Sequence, residues 1–338
     1  MKILLTGAAG FIGYHTTERL LARGDTVLGI DNLNAYYATS LKQARLALLE
    51  RHPAFAFLEL DVAQRDLAAI LGDRVSDVDL IVHLAAQAGV RYSVENPFAY
   101  VDSNVTGQVA LLELAAHLPK RPALVYASSS SVYGAAEAVP FTETARADSP
   151  VSVYAATKRA GELLAHAYGE LYGLKTTGLR FFTVYGRYGR PDMAPWLFTD
   201  AILKGNSIDV FNHGVMQRDF THISDIVDGV VAAADRIVSN PDGTAPLYNL
   251  GNNKPVALLD FIAAIEHAAG RKAKMVMKPK PAGDVLQTYA DIALAERDLG
   301  FRPKTHLADG IADFVQWFKT WPSLNQTNEA SMHKAPNK

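Results

Sequence analysis

Lys2 to Thr6 reads as a short apolar strand that runs directly into Gly7-Ala8-Ala9-Gly10-Phe11-Ile12-Gly13 and then into a helical pattern carrying Leu20 and Leu21. Few folds accept that order. Glycines let the backbone turn tightly and approach a pyrophosphate, whose charge is met by free N–H groups at the start of the helix. The spacing is G-x-x-G-x-x-G and departs from the general G-x-G-x-x-G fingerprint. Gly7, Gly10, Phe11, Ile12 and Gly13 are therefore expected to cradle a dinucleotide. The next strand, Thr26 to Ile30, ends in Asp31 and is followed by Asn32. A carboxylate roughly 20 residues past the turn suits the ribose hydroxyls of an adenosine and repels a 2′-phosphate, which favours NAD over NADP.

Further short apolar runs alternate with helical patterns: Phe55–Glu59, Leu80–His83, Leu124–Ala127 and Thr176–Leu179. This is α/β alternation, and right-handed crossovers make it a Rossmann-type doubly wound parallel sheet with ligands beyond the carboxyl ends of its strands. Gly7, Asp31, Asp61-Val62, Leu84-Ala85-Ala86 and Ser128–Ser131 all fall at such ends and should converge on one crevice. After about Phe181 the texture changes to more Pro and Gly, shorter elements and an isolated strand-like Pro246–Gly251. The expected organisation is a dinucleotide-binding domain over 1–180, a smaller C-terminal α/β substrate lobe over 181–322 and a loose polar tail over 323–338, with segments near 219–251 as candidates to return to the first domain. No internal repeat is found.

With 338 residues and 49% hydrophobic content the chain can bury a large core. Its net charge of −2 includes no long basic cluster, so neither nucleic acid nor an anionic membrane is an expected partner. No run of about 18 apolar residues and no cleavable leader pattern is present, which points to the cytoplasm. The absence of cysteine excludes disulfides and thiolate chemistry, and the ten histidines lack a metal-ligand spacing, so no metal is expected.

Tyr154-Ala155-Ala156-Thr157-Lys158 lies in a helical stretch, where residues four apart share a face. With 14 tyrosines, about one Y-x-x-x-K arises by chance, so context decides. An apolar stripe of Ala156, Ala160, Leu163, Leu164, Ala167 and Leu171 lies roughly opposite the Tyr154/Lys158 side and leaves the polar pair to face a cleft. Earlier in the chain, Ser128-Ser129-Ser130-Ser131-Val132-Tyr133-Gly134 leaves a core strand at its ligand end.

Glycine turn, acidic strand end, serine strand end and Y-x-x-x-K, in that order, resemble the extended short-chain dehydrogenase/reductase family, to about Asp313. The resemblance implies that Ser129, Ser131 and Tyr154 address a substrate hydroxyl, while Lys158 binds the nicotinamide ribose and lowers the Tyr154 pKa from its ordinary value near 10, so that Tyr154 acts as general base. Leu84, Ala85, Ala86, Phe181 and Asn104 fall at cofactor-side positions, Asn104 supporting the active-site helix. Four stretches narrow the likeness to nucleotide-sugar epimerases and, among them, the UDP-glucuronate 4-epimerase family: Asp31 to Tyr37, Ala85 to Ser93, Arg180 to Gly186 and Gly189 to Ala194. By that likeness the partner is a UDP-sugar: Gln87, Arg91 and Ser130 line its site, Arg218 meets the diphosphate, Phe211 lies near the uracil and Asp284 holds the uridine ribose. Pro281-Ala282 and Arg187 depart from the family pattern.

The implied reaction oxidises C4 of the sugar to a ketone, rotates the intermediate and reduces it from the opposite face, with NAD regenerated in each turnover. A 4-keto glucuronate is a β-keto acid, so its carboxylate must be held out of alignment with the ketone to prevent loss of CO₂. Thr183 and Arg190 are the candidates for that task, since a hydroxyl and a guanidinium can bind a carboxylate on two sides. Rival readings are ranked by the same residues. Ser130 and Ser131 stand where 4,6-dehydratases carry Asp-Glu, which disfavours dehydration. A UDP-glucose/galactose 4-epimerase is the main alternative, followed by a decarboxylating UDP-xylose synthase and a non-catalytic NAD-sensing regulator. Apolar surface on the Tyr154 helix and around Val105–Ala116 leads to the expectation of a homodimer.

Overall fold

The computed structural model describes residues 1–135, 138–239, 246–280 and 285–321. Seven parallel strands form the central sheet: β1 (Lys2–Thr6), β2 (Thr26–Asp31), β3 (Phe55–Glu59), β4 (Leu80–His83), β5 (Ala123–Ser129), β6 (Thr176–Phe181) and, after β7 (Thr183–Tyr185), β8 (Ser207–Phe211) and β9 (Gln217–His222), the edge strand β10 (Leu247–Leu250). Their spatial order is β3-β2-β1-β4-β5-β6-β10. The order reverses between β1 and β4, which opens a crevice at the carboxyl ends of those two strands. Alternation along each strand explains the two-sided core. Ile3, Leu5, Leu80 and Val82 pack into one buried cluster, whereas Leu4 and Ile81 pack into the other.

The strand-like Pro246–Gly251, isolated when read along the sequence, is not isolated in space: β10 pairs with β6, Tyr248 beside Leu179 and Asn249 beside Arg180. The helix before it, Ile223–Ser239, returns with it and packs on the Phe11–Ala22 helix. Arg19 meets Asp228 at 2.5 Å and Arg23 meets Asp235 at 2.6 Å across that seam. Sequence periodicity reports a strand's faces but not its neighbours.

The remaining strands build two small sheets. β7 pairs with β9 in parallel, and β11 (Pro255–Ala257) pairs with β9 antiparallel. β12 (Lys274–Lys278) pairs with β8. Beneath them lies a third core of aromatic and aliphatic residues, including Trp196, Phe220, Phe261, Phe314 and Trp317, with Phe220 and Phe261 stacked at 4.1 Å.

The helix carrying Tyr154 spans Val153–Tyr172. The Ser152 side chain accepts the Ala155 N–H at its start, and Gly173 ends it in the left-handed region at φ 64°. Its orientation is not the usual amphipathic one. Ala155, Thr157, Lys158, Gly161, Glu162 and Ala165 form the buried face, while Leu163 and Leu171 of the apolar stripe are 53% and 73% exposed. A second helix, Gly107–His117, packs beside it. The Val105 end of the segment expected to be helical belongs to a π-helical turn, Asp102–Thr106, that feeds that helix.

Gly13 and Gly161 test opposite demands on a helical glycine. A Cβ at Gly13 would lie 1.9 Å from the Gly7 carbonyl oxygen, whereas one at Gly161 would meet Gln108 at an ordinary 3.7 Å. Gly13→Ala should cost about 1–3 kcal/mol through overpacking, and Gly161→Ala should gain about 0.5–1 kcal/mol by restricting the unfolded chain. Urea midpoints at unchanged m-value read both, and a same-signed pair of shifts would contradict the packing argument.

Candidate functional site

The crevice is a cavity of about 660 Å³, in the range of small-molecule sites. Its floor is the glycine turn. Gly7 adopts φ +75°, and a Cβ there would lie 2.7 Å from the Ala85 nitrogen. No side chain caps the Phe11–Ala22 helix that follows, so the first-turn N–H groups face the cavity without an acidic competitor. Asp31 closes one end of the cavity: its Oδ2 accepts the Ala9 N–H at 3.2 Å and its Oδ1 accepts the Leu33 N–H at 2.9 Å. Beside it Asn32 donates to Asp61 Oδ2 at 2.9 Å.

Ser129 and Tyr154 meet on the opposite wall. Ser129 Oγ accepts the Ser131 N–H at 3.2 Å and donates to Ser131 Oγ at 3.1 Å. Burial pushes the Tyr154 phenol above its ordinary value, and two influences pull it back: a hydrogen bond with Ser129 and the positive charge of Arg190. Lys158 lies in the same wall with its Nζ donating to the Ala127 carbonyl at 3.0 Å. Burial pushes its ammonium down to about 8, against the opposing charge of Glu162. The cation that acts on Tyr154 here is thus Arg190.

Glu162, one further turn along the helix, anchors the wall. Arg180 binds it on both carboxylate oxygens at 2.8 Å, Ser128 Oγ donates to it at 2.6 Å and Arg159 at 2.9 Å. Burial opposes its charge, but those partners outweigh burial and hold the carboxyl below its usual range. Arg180 also donates to the Tyr133 hydroxyl at 3.0 Å, which donates in turn to Asn249 Oδ1 of β10 at 2.6 Å.

On the substrate side, Thr183, Arg190, Phe211 and Arg218 line the same cavity, with Gln87, Arg91, Ser130 and Phe181. The Arg91 guanidinium sits over the Phe211 ring at 5.0 Å. Arg218 donates to the carbonyls of Gln217 and Leu286 at 2.9 and 3.2 Å. Its neighbour Asp219 spends its carboxylate on the backbone N–H groups of Asn252, Asn253 and Ala290. Arg187 turns away from the cavity and pairs with Asp313. Asn104 stands behind the wall: it exchanges hydrogen bonds with the Gln87 backbone at 2.8 and 3.0 Å and donates to Thr157 Oγ1 at 3.0 Å. The π-helical turn presents Asn104 to those partners. Asp284 lies outside the described residues.

A sequence model of the NAD dependent epimerase/dehydratase family matches residues 3–251. The chain belongs to that family. UDP-glucuronate 4-epimerase 4 of Arabidopsis thaliana is 50% identical over 335 residues, covering 96% of this chain and 76% of the plant protein. Protein CapI of Staphylococcus aureus is 46% identical over 332 residues, covering 94% and 98%. Among solved structures, UDP-glucuronic acid 4-epimerase from Bacillus cereus, in complex with UDP-glucuronic acid and NAD, matches with TM-score 0.87 at 34% identity, covering 95% of this chain and 99% of that one.

For a member of the epimerase/dehydratase family, the pocket suits the dinucleotide that the family name carries. The Gly7–Gly13 turn packs so closely on itself and on Ala85 that a Cβ at any of its three glycines would collide with backbone, which keeps the turn flat along the cavity, and Asp31 offers acceptors and a negative charge where a 2′-phosphate would be repelled. Among the described residues no group of three or more His, Asp or Glu lies close enough to hold a metal ion. No helix among them is long and apolar enough to cross a membrane. Apart from Asn104 and Asp284, every residue expected from the sequence to touch cofactor or substrate lines the cavity. Sequence reasoning missed Tyr100, whose hydroxyl donates to the Ala88 and Gly89 carbonyls and whose ring meets Tyr154 edge-on at 6.0 Å. It also missed Tyr36 and Asp192 as site residues, because each acts through a partner more than 150 positions away.

The depressed Lys158 ammonium sets a pH signature. Its folded value near 8 lies below 10.5, so between those values the unfolded chain binds more protons and stability rises with pH. Below about pH 8 the full burial penalty of about 3 kcal/mol is present. Lys158→Met should therefore be more stable than the wild type at pH 7, by an amount that shrinks as pH rises from 8 to 10.5. Chemical denaturation across that range is the measurement, and a pH-independent difference would refute the burial of a charged lysine.

Proposed function

We propose that this chain is a UDP-glucuronate 4-epimerase that interconverts UDP-glucuronate and UDP-galacturonate through a transient 4-ketone. The observation that carries the reading is Arg190. Its guanidinium lines the same cavity as Ser129, Tyr154 and Thr183, and its positive charge favours the phenolate of Tyr154. A sugar whose C4 hydroxyl faced Tyr154 would then bring its C6 carboxylate toward a guanidinium and a hydroxyl. The 50% identity to a plant enzyme named for this reaction supports the same assignment.

NAD, when bound, supplies the redox chemistry at C4 and is regenerated in each turnover. The chain's own residues do the rest. The Gly7–Gly13 turn and the helix N-terminus hold the pyrophosphate, with Asp31 on the adenosine ribose and Lys158 on the nicotinamide ribose. Ser129 orients the C4 hydroxyl, Tyr154 takes its proton and later returns one, and Arg190 lowers the cost of the phenolate. Arg218 and Phe211 bind the diphosphate and uracil while the sugar turns. In this reading residues 1–180, joined by the helix Ile223–Ser239 and β10, carry the cofactor, and the rest of 181–322 carries the UDP-sugar. A chain without cysteine that uses NAD and a UDP-sugar belongs in the cytoplasm.

The exposed stripe on the Tyr154 helix gives the homodimer its interface. Leu163 and Leu171 of that helix are exposed, and so are Val94 and Phe98 of the short helices that pack on it, at 78% and 76%. A self-complementary patch of about 800 Å² per protomer is enough for a stable pair.

Product analysis by NMR should detect UDP-galacturonate from UDP-glucuronate and no net loss of CO₂. Tyr154→Phe should keep UDP-sugar binding and lose turnover by about 10²–10⁴; near-normal turnover would remove Tyr154 from the role of base. Light scattering should give a dimer at micromolar concentration, and Leu163→Glu with Leu171→Glu should give a monomer. A wild-type monomer would refute the interface.

A further inference from the structure

Tyr36 and Asp192 line the same cavity but come from distant parts of the chain. Tyr36 belongs to the loop that leaves Asp31 at the end of β2, and Asp192 follows β7 in the Gly189–Ala194 stretch. The Tyr36 hydroxyl donates to Asp192 Oδ2 at 3.0 Å. Arg190 donates to the same carboxylate from Nε at 3.0 Å and from Nη2 at 2.5 Å. A third segment closes the group: Gly89 adopts φ +104°, and a Cβ there would lie 2.7 Å from the Tyr36 hydroxyl and 3.4 Å from Arg190 Nη2. Tyr36 also packs on Tyr92 at 4.9 Å, which holds its ring against the same loop.

A guanidinium has two edges that take a carboxylate bidentately, the side edge Nε–Nη2 and the terminal edge Nη1–Nη2. Asp192 takes the side edge of Arg190 and leaves Nη1 uncommitted to that carboxylate. We infer that Asp192 and Tyr36 form a clasp that positions Arg190, so that its terminal edge holds the C6 carboxylate of an acidic sugar in one orientation. The inference rests on the proposal that UDP-glucuronate is the substrate and that Arg190 meets its carboxylate. Neither Asp192 nor Tyr36 is assigned contact with the reacting atoms; both act through Arg190.

The clasp favours orientation over affinity. Asp192 neutralises much of the Arg190 charge, which weakens long-range attraction for an anionic sugar, but it pins a side chain that otherwise has many rotamers to lose. Orientation matters because the C4 ketone is β to the C6 carboxylate. Loss of CO₂ breaks the C5–C6 bond, leaves its electron pair in an enolate spanning C5 and the ketone, and ends when C5 takes a proton from water. That step requires the C5–C6 bond to align with the ketone π system. An Arg190 free to follow the carboxylate as it rotates would permit that alignment, and a pinned one resists it.

The test uses the full-length protein with Asp192→Asn, Tyr36→Phe and Arg190→Ala. UDP affinity, which senses the folded site without the sugar carboxylate, should be unchanged in all three. For Asp192→Asn, KM for UDP-glucuronate should stay level or fall, because an anion is removed from the site. Its kcat should drop about tenfold, and the share of turnovers ending in CO₂ and a UDP-pentose should rise several-fold. Tyr36→Phe should move kcat and product share in the same direction by a smaller factor. A rise in KM with kcat and product share unchanged would overturn the inference by making the pair a simple binding element. Wild-type kcat and product share in both clasp variants, with Arg190→Ala impaired, would overturn the inference alone. Full UDP-glucuronate turnover in Arg190→Ala would overturn the underlying assignment of Arg190 and the clasp with it.

Discussion

The pairing of Glu162 with Arg180 is the contact on which the arrangement of the site rests. Both side chains are 1% exposed, and every oxygen of the carboxylate and most of the guanidinium are satisfied by Ser128, Arg159 and Tyr133. Removing one member of such a pair strands the other at a cost of about 3–5 kcal/mol. The pair joins the Tyr154 helix to β6, the Ser128 end of β5 and, through Tyr133 and Asn249, the edge strand β10. It also decides which face of the helix turns inward. Tyr154, Lys158 and Glu162 are spaced four apart and occupy one stripe, so anchoring Glu162 against the sheet carries the other two to the cleft wall and puts the apolar stripe outside.

That anchoring explains the electrostatics of the wall. Lys158 is buried beside a carboxylate that Arg180 already compensates, so its ammonium is only partly supported and sits near 8. Tyr154 is buried without a cation on its own helix face acting on it, and the pull on its proton comes from Arg190. The glycine turn shows a complementary arrangement: no acidic side chain stands in the first turn of the helix, whose backbone N–H groups face the cavity, while Arg45 and Asp31 tie the Ala9 backbone in place.

Much of this was legible in the sequence, and for physical reasons. A dinucleotide turn needs glycines at fixed positions, a parallel sheet needs apolar runs between helices, and a base with its lysine needs a four-residue spacing; each demand is local. Gly7, Asp31, Ser129, Tyr154 and Lys158 were each picked out that way, and all five line one cavity. What escaped depends on contacts that no periodicity or motif announces. Tyr36 and Asp192 acquire meaning only beside Arg190, and Tyr100 only beside the Gly89 loop. β10 looked isolated because a short strand says nothing of its neighbour. The outward stripe of the Tyr154 helix was visible as a pattern, but the usual inference that the apolar face packs inward fails where a buried ion pair has claimed the other face.

The return of Ile223–Ser239 and β10 to the first sheet bears on how the chain matures. Tyr133 and Arg180 are made early, yet their partner Asn249 emerges from the ribosome about seventy residues after Arg180. Until then β6 is an open sheet edge, and the buried ion pair beneath the catalytic helix lacks one side of its surroundings. The first sheet is therefore completed only by residues made after the strands β7 to β9. Synthesis of β7 to β9 falls between the two parts of one sheet, which ties completion of the Tyr154 wall to a nascent chain that already carries the Arg190 loop.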